Sequence, residues 1–236
     1  MIEDKIIAAI THHAERVFPL ECCGLVIDNG GALQYIECEN QSHDPEKSFL
    51  IDPVVYAKCA DKVKFIVHSH PNRSPQPSEA DKASSERAGI PFLIMSYPTC
   101  EVSNYYPAGY KTPLEGRPFV YSVMDCFTLV RDFYQQVLNI TIPDRQRLPY
   151  GWWENSGINS YIMAEYQQWG FAKTDDLKRG DVIVMQLQGQ VPNHVAVYLG
   201  DGIILHQTLN TTSRQEQYGS YWRKNTVCYL RHNENS

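Results

Sequence analysis

The sequence predicts an α+β fold divided over two domains, and three observations predict it. Apolar patterning runs helix–strand–helix–strand in the first half and then a helix followed by strands in the second. The twelve residues Pro107–Pro118 carry three prolines and two glycines, a composition that suits an interdomain linker. The 236 residues divide into halves of roughly 110 to 120, each long enough to bury a core. We therefore expect domains over 1–108 and 118–236, joined by a linker over 109–117.

Each element follows from local pattern. Ile6, Ile7, Ile10 and Ala14 recur at helical spacing, so residues 3–16 read as a helix. Leu25-Val26-Ile27 reads as a strand, and Asp28-Asn29-Gly30-Gly31 as the turn that follows it. Pro53 to Ala60 reads as a short helix, Lys64–His68 as a buried strand, 79–88 as a helix and Phe92–Met95 as another buried strand. Beyond the linker, Val130, Phe133, Tyr134, Val137 and Leu138 form one apolar stripe of a helix. Asp181–Met185 and His194–Leu199 are strand-like.

Composition excludes several classes. Apolar residues make up 43% and charged residues 20%, which is globular rather than disordered. A formal charge of -6 argues against a general nucleic-acid binder. No run approaches the roughly 18 apolar residues of a membrane span. Met1-Ile2-Glu3-Asp4-Lys5 is acidic and opens no apolar core, so no secretory signal is expected and folding in the cytoplasm is. Seven cysteines without a Cys-x-x-Cys pair are expected as reduced thiols, most of them buried.

The chemistry concentrates in two places. His68-Ser69-His70-Pro71 is followed by Ser78 and Asp81, which gathers three metal ligands and a hydroxyl within fourteen residues. His68 and His70, two apart on a strand, share a face. Asp81, one turn into the next helix, can return to the same point. Three protein ligands leave a fourth position for water, the arrangement of a catalytic zinc. Glu21 is the best candidate for the general base, and Ser78 for an oxyanion donor. Ser78-x-x-Asp81 also satisfies a capping box, so a purely structural use of the pair stands beside the metal reading.

The second place is Cys126, which opens the helix that runs to about Leu138. A thiol in a first helical turn feels the positive end of the dipole, which favours thiolate. His194 and His206 are two histidines of one hairpin turned by Gly200-Asp201-Gly202. With a three-residue turn Leu199 pairs with Ile203 and Ala196 with His206, and the two histidines share a face; a two-residue turn separates them. In the first register His194 is the base and His206 orients it. Cys126 as a merely buried thiol is the competing reading.

Glu21-Cys22-Cys23-Gly24-Leu25, with His68-Ser69-His70-Pro71 and Ser78-Glu79-Ala80-Asp81, resembles the JAMM metalloprotease family over roughly residues 1–105. The resemblance implies zinc on His68, His70 and Asp81, Glu21 as base, Ser78 as assistant, and cleavage of isopeptide or related amide bonds. Asp125–Arg131, Leu177–Val182 and His194–Tyr198 resemble the NlpC/P60 cysteine peptidase family over roughly 118–232. That resemblance implies a papain-like domain with Cys126, His194 and a polar third residue about a dozen positions on, where His206 stands. It also implies peptidoglycan stem peptides as substrate and Tyr121 as a candidate at the oxyanion site. Phe127 and Thr128 depart from the Ser-Gly that many members carry, which puts the lip of the pocket in doubt. The two domains in this order resemble the tail-tip assembly protein K family of long-tailed bacteriophages. This implies other phage tail-tip proteins as partners, residence in the host cytoplasm during assembly, and a place at the virion tail tip. Three functions compete: wall endopeptidase, zinc-dependent processing protease for a tail protein, and assembly factor without turnover.

Overall fold

A computed structural model describes residues 2–235. The chain divides into two compact units, with the boundary between Lys111 and Thr112. No helix among the described residues is long and apolar enough to cross a membrane.

The first unit is a five-stranded sheet with helices on both faces. Its strands are β1 (Cys23–Asn29), β2 (Ala32–Cys38), β3 (Val63–Pro71), β4 (Phe92–Tyr97) and β5 (Val102–Tyr105), in the order β2-β1-β3-β4-β5. Only β3 and β4 pair in parallel, and the crossover between them is helix α3 (Glu79–Ala88). Helix α1 (Asp4–Val17) lays Ile6, Ile10 and Ala14 against Cys22, Val26, Val67, Leu93 and Met95. The opposite face of the same strands presents Cys23, Leu25, Ile27, Ile66, Phe92 and Ile94 to Phe49, Val55 and Tyr56. Because both faces are covered, these strands read as apolar runs rather than as alternation. Helix α2 (Pro53–Ala57) is shorter than the sequence suggests. A separate single turn, Ala60–Lys62, follows it and leads into β3.

Gly24 sets how closely β1 and β2 approach. A Cβ there would stand 2.4 Å from the Ile36 carbonyl oxygen and 2.5 Å from the Tyr35 ring. The register of β1 on β3 pairs Cys23 with His68, and the Ser69 amide donates to the Cys22 carbonyl at 3.0 Å. Continued by two residues, that register brings Glu21 opposite His70.

The second unit is a six-stranded antiparallel sheet in the order β10-β9-β8-β7-β11-β6. The strands are β6 (Phe171–Thr174), β7 (Val182–Met185), β8 (His194–Gly200), β9 (Ile203–His206), β10 (Arg214–Gln217) and β11 (Thr226–His232). Helix α4 (Cys126–Phe133) packs on β8, its Phe127, Val130 and Phe133 sharing a core with Val182, Val195 and Val197. The other face carries Ile183, Ala196, Ile204 and Trp222, the last from helix α6 (Ser220–Lys224). Helix α5 (Tyr161–Glu165) adds Tyr161 and Ile162 to the α4 side.

Two sequence expectations change here. After Phe133 the chain widens into a π turn, Tyr134–Leu138, which rotates Val137 out of the apolar stripe and leaves it exposed. In the β8–β9 hairpin, Gly200 rather than Leu199 pairs with Ile203, so the loop has two residues. A bulge between Tyr198 and Gly200 absorbs the difference and keeps Ala196 opposite His206. The two histidines share a face by a different route from the predicted one.

Candidate active sites

In the first unit, β3 runs on through His68, Ser69 and His70, and all three are buried. Alternation turns both imidazoles to one side, with Nε2 atoms 3.1 Å apart. Asp81 is the third residue of α3. Its Oδ1 lies 3.1 Å from His68 Nε2 and its Oδ2 3.4 Å from His70 Nε2. One donor atom from each of the three residues falls within 4.8 Å of the others.

The lone pairs show what this cluster can hold. His70 Nδ1 donates to the Ser74 carbonyl at 2.7 Å, which leaves the His70 Nε2 lone pair aimed at His68 and Asp81. Burial disfavours the charged ring, but the Asp81 carboxylate and the Ser74 carbonyl outweigh it and raise the His70 pKa. Burial also opposes ionisation of Asp81, yet His68, His70 and Ser78 hold its carboxyl far below the usual range. Nitrogen lone pairs and an anionic oxygen converging in a dry site fit a divalent cation. His68 stacks on Phe49 at 4.5 Å and meets Phe92 edge-on; its Nδ1 has no hydrogen-bond partner among the described residues.

Glu21 stands beside this cluster, 2% exposed. Its amide donates to the Pro45 carbonyl and its own carbonyl accepts from Asn40, so the backbone is held on both sides. Burial pushes its carboxyl up, against the pull of His68, His70 and Arg73. Arg73, on the loop after β3, donates to that carboxylate; sequence reading did not single it out, and only the fold brings it to Glu21. Ser78 caps α3: its Oγ accepts from the Asp81 amide at 3.2 Å, and its amide donates to Asp81 Oδ2 at 2.7 Å. The capping box and the ligand cluster therefore coexist, and the cap orients Asp81.

In the second unit, Cys126 is the first residue of α4. Asp125 caps that helix, accepting from the Thr128 amide at 2.8 Å, while Thr128 Oγ1 accepts from the Asp125 amide. Arg147 grips the Asp125 carboxylate through two nitrogens, at 2.7 and 3.2 Å. Burial opposes the Asp125 charge, but Arg147 and Thr128 lower its carboxyl all the same. Phe127 and Thr128, the unusual residues after the cysteine, point into the core. Phe127 packs on Trp169 at 4.7 Å, and Thr128 is fully buried.

Cys126 and His194 line one cavity of about 440 Å³. Tyr121, Trp152, Trp153, Tyr161, Tyr221 and Trp222 make its wall largely aromatic. The Tyr121 hydroxyl donates to the Leu148 carbonyl at 2.6 Å. Burial and the neighbouring Asp125 push the Cys126 thiol up to about 12, with the Val195 and Phe127 amides pulling the other way. Burial and His206 lower His194 to about 3. Both shifts favour thiol and neutral imidazole, against the thiolate that helix position alone favours.

His194 Nε2 lies 3.3 Å from His206 Nδ1, and His206 Nε2 lies 3.2 Å from Glu216 Oε2. Glu216, Arg147 and Trp222 are site residues that sequence reading missed. An Arg-x-Glu alternation at 214–216 marks a strand, but its partner strand is not legible from it.

Residues 3–105 match prokaryotic homologs of the JAB domain, and residues 116–231 match the NlpC/P60 family. Tail tip assembly protein K of Escherichia phage N15 is 35% identical over 99% of this chain and 96% of its own. Tail tip assembly protein K of Escherichia phage lambda is 33% identical over 75% of this chain and 85% of its own. Among solved structures, a JAB1/MPN domain protein from Archaeoglobus fulgidus is 26% identical over 44% of this chain and 86% of its own, with a TM-score of 0.32. The chain belongs to the tail tip assembly protein K family, with a JAB-type domain ahead of an NlpC/P60-type domain.

Proposed function

We propose that this protein takes part in assembling a phage tail tip and is a cysteine endopeptidase that cuts peptidoglycan stem peptides through Cys126, His194 and His206. The observation that carries the reading is the cavity that Cys126 and His194 both line, backed by the His194–His206 contact. His206 accepts from His194 Nε2, which leaves His194 Nδ1 with the basic lone pair. As the substrate carbonyl engages, Sγ bonds to the carbonyl carbon and the thiol proton passes to His194 Nδ1. Collapse of that adduct breaks the C–N bond, and His194 returns the proton to the departing amine. Water then attacks the thioester with His194 as base, releasing the carboxylate product and the thiol. The aromatic wall suits the peptide's aliphatic stems.

The first unit is proposed as a zinc-dependent (iso)peptidase centre. His68, His70 and Asp81 would hold the metal, which when bound supplies a Lewis acid and water ionised near neutral pH. Glu21 would be the proton acceptor. Capping leaves the Ser78 hydroxyl proton for a developing oxyanion. A complete ligand set distinct from Cys126 favours a second reading, in which this centre processes a tail protein during assembly. Other tail-tip proteins are the proposed partners, and the host cytoplasm and then the tail tip the proposed locations.

Phage carrying Cys126→Ala, Glu21→Gln or both separate these readings. Loss of local wall opening with Cys126→Ala supports the endopeptidase. An altered tail-protein pattern with Glu21→Gln alone supports processing. Fully viable double-variant phage would leave only an assembly role without turnover.

A further inference from the structure

We propose that Glu216 is the terminal positioning residue of the cysteine centre, a carboxylate that acts through His206 to hold His194 in the tautomer whose Nδ1 takes the thiol proton. The inference rests on the endopeptidase reading of that site and adds to it a residue outside the Cys–His–His set.

Glu216 and Arg214 lie on β10, whose register pairs Arg214 with His206 and Glu216 with Ile204. Alternation then sets Glu216, Arg214, Ile204 and His206 on one face, with Glu216 diagonal to His206. Glu216 Oε2 is 3.2 Å from His206 Nε2. A carboxylate only accepts, so the single proton of neutral His206 sits on Nε2. His206 Nδ1 is then a bare lone pair, and 3.3 Å away it can only accept, so the His194 proton sits on Nε2. One carboxylate thus fixes two rings in series.

The carboxylate is built to stay ionised and still. Arg214 donates to Oε2 through Nε at 2.9 Å, and its terminal nitrogen lies 2.8 Å from the same oxygen. The Trp222 indole, from α6, donates to Oε1 at 3.1 Å. The groups facing Glu216 are therefore Arg214 on its own strand, His206 on β9 and Trp222 on α6, with His194 next along on β8. Burial opposes its charge, but His206, Trp222 and Arg214 lower its carboxyl below the usual value. The Trp222 ring also meets His206 edge-on at 4.4 Å and lies 6.2 Å from His194, so the indole that anchors the acid also packs on the bases.

Glu216→Leu inverts the relay rather than merely weakening it, whereas glutamine would keep an acceptor oxygen at the Oε2 position that Arg214 and His206 share. Leucine leaves His206 Nε2 without an acceptor, and Arg214, paired with His206 across the strands, is freed to donate to it. His206 then carries its proton on Nδ1, and His194 is driven to the Nδ1-protonated form, which cannot accept from the thiol.

The test compares full-length wild type, Glu216→Leu, His206→Gln and the double variant. Long-range proton–nitrogen correlation spectra of the imidazoles read the tautomers, and stem-peptide cleavage reads kcat and KM. We expect Nε2-protonated His194 and His206 in wild type and Nδ1-protonated rings in Glu216→Leu. We expect kcat to fall by roughly 10- to 100-fold with KM unchanged, and no further fall when Glu216→Leu is added to His206→Gln. Identical tautomers in both proteins, or an equal loss in both backgrounds, overturns the proposal. A wild type that leaves stem peptides uncut overturns the endopeptidase reading instead, and the spectra still decide the role of Glu216 in setting the tautomers.

Discussion

Arg147→Met removes the cation behind the nucleophile's helix. The Asp125–Arg147 pair is almost wholly dry, with side chains 4% and 2% exposed. Breaking such a pair from one side typically costs about 3–5 kcal/mol, because a charge is left buried. The Asp125 carboxylate keeps the Thr128 amide at 2.8 Å and the Ser122 amide at 3.2 Å, which places the loss near 3 kcal/mol. Loss of the guanidinium over the Phe127 ring, 4.7 Å from its centroid, adds roughly 0.5–1 kcal/mol. For a unit of this size the sum is a melting shift of roughly 13–15 °C. All four tryptophans, Trp152, Trp153, Trp169 and Trp222, lie beyond Thr112. Tryptophan fluorescence of the full chain therefore follows the second unit alone and avoids mixing two transitions. The pH dependence has a definite sign. In wild type Asp125 is held below its usual value, so its contribution is present at neutral pH and lost as pH falls through that lowered value. In the variant the guanidinium no longer offsets burial and the carboxyl rises relative to wild type, so the penalty is present at neutral pH and fades as the group protonates. The gap between the two proteins must narrow on acidification. A shift below about 1 kcal/mol at pH 7, or a gap that widens in acid, would refute the role given to Arg147.

Two further predictions concern the nucleophile and the first unit. With Cys126 raised to about 12 and His194 lowered to about 3, iodoacetamide labelling of Cys126, followed by peptide mass spectrometry, stays slow at neutral pH and accelerates into alkali. Exposed Cys100 labels first, and a Cys126 thiolate titrating near neutrality would contradict the neutral pair. Gly24→Ala forces a Cβ to 2.4 Å from a backbone oxygen and is expected to destabilise the first unit by about 1–3 kcal/mol or more, read as faster hydrogen exchange in β1 and β3; unchanged protection would refute it.

What the sequence discloses depends on how far apart the partners lie. His68, His70, Ser78 and Asp81 sit on one strand–loop–helix passage, so local spacing alone brings them together. The shared face of His194 and His206 was legible, but the reason given for it was wrong. A bulge at Leu199 leaves the residue types unchanged, and only the pairing reveals it. Glu216 and Trp222 were invisible because they depend on β10 and α6, short polar elements whose neighbours are set by the whole sheet. Arg147 lies in an irregular stretch where no periodicity marks it. Val137 was misplaced because a π turn breaks the helical period on which the stripe was counted. The thiolate expected for Cys126 is opposed by an effect the sequence does not display: helix position is written in sequence, whereas desolvation is a property of the finished cavity.

The measurement that bears most directly on a wall-cleaving Cys126 is mass spectrometry of peptidoglycan digested by the purified full-length protein and by its Cys126→Ala and Glu21→Gln variants. Stem-peptide fragments released by wild type and by Glu21→Gln, and absent with Cys126→Ala, are the predicted result. Fragments that persist undiminished with Cys126→Ala would contradict it.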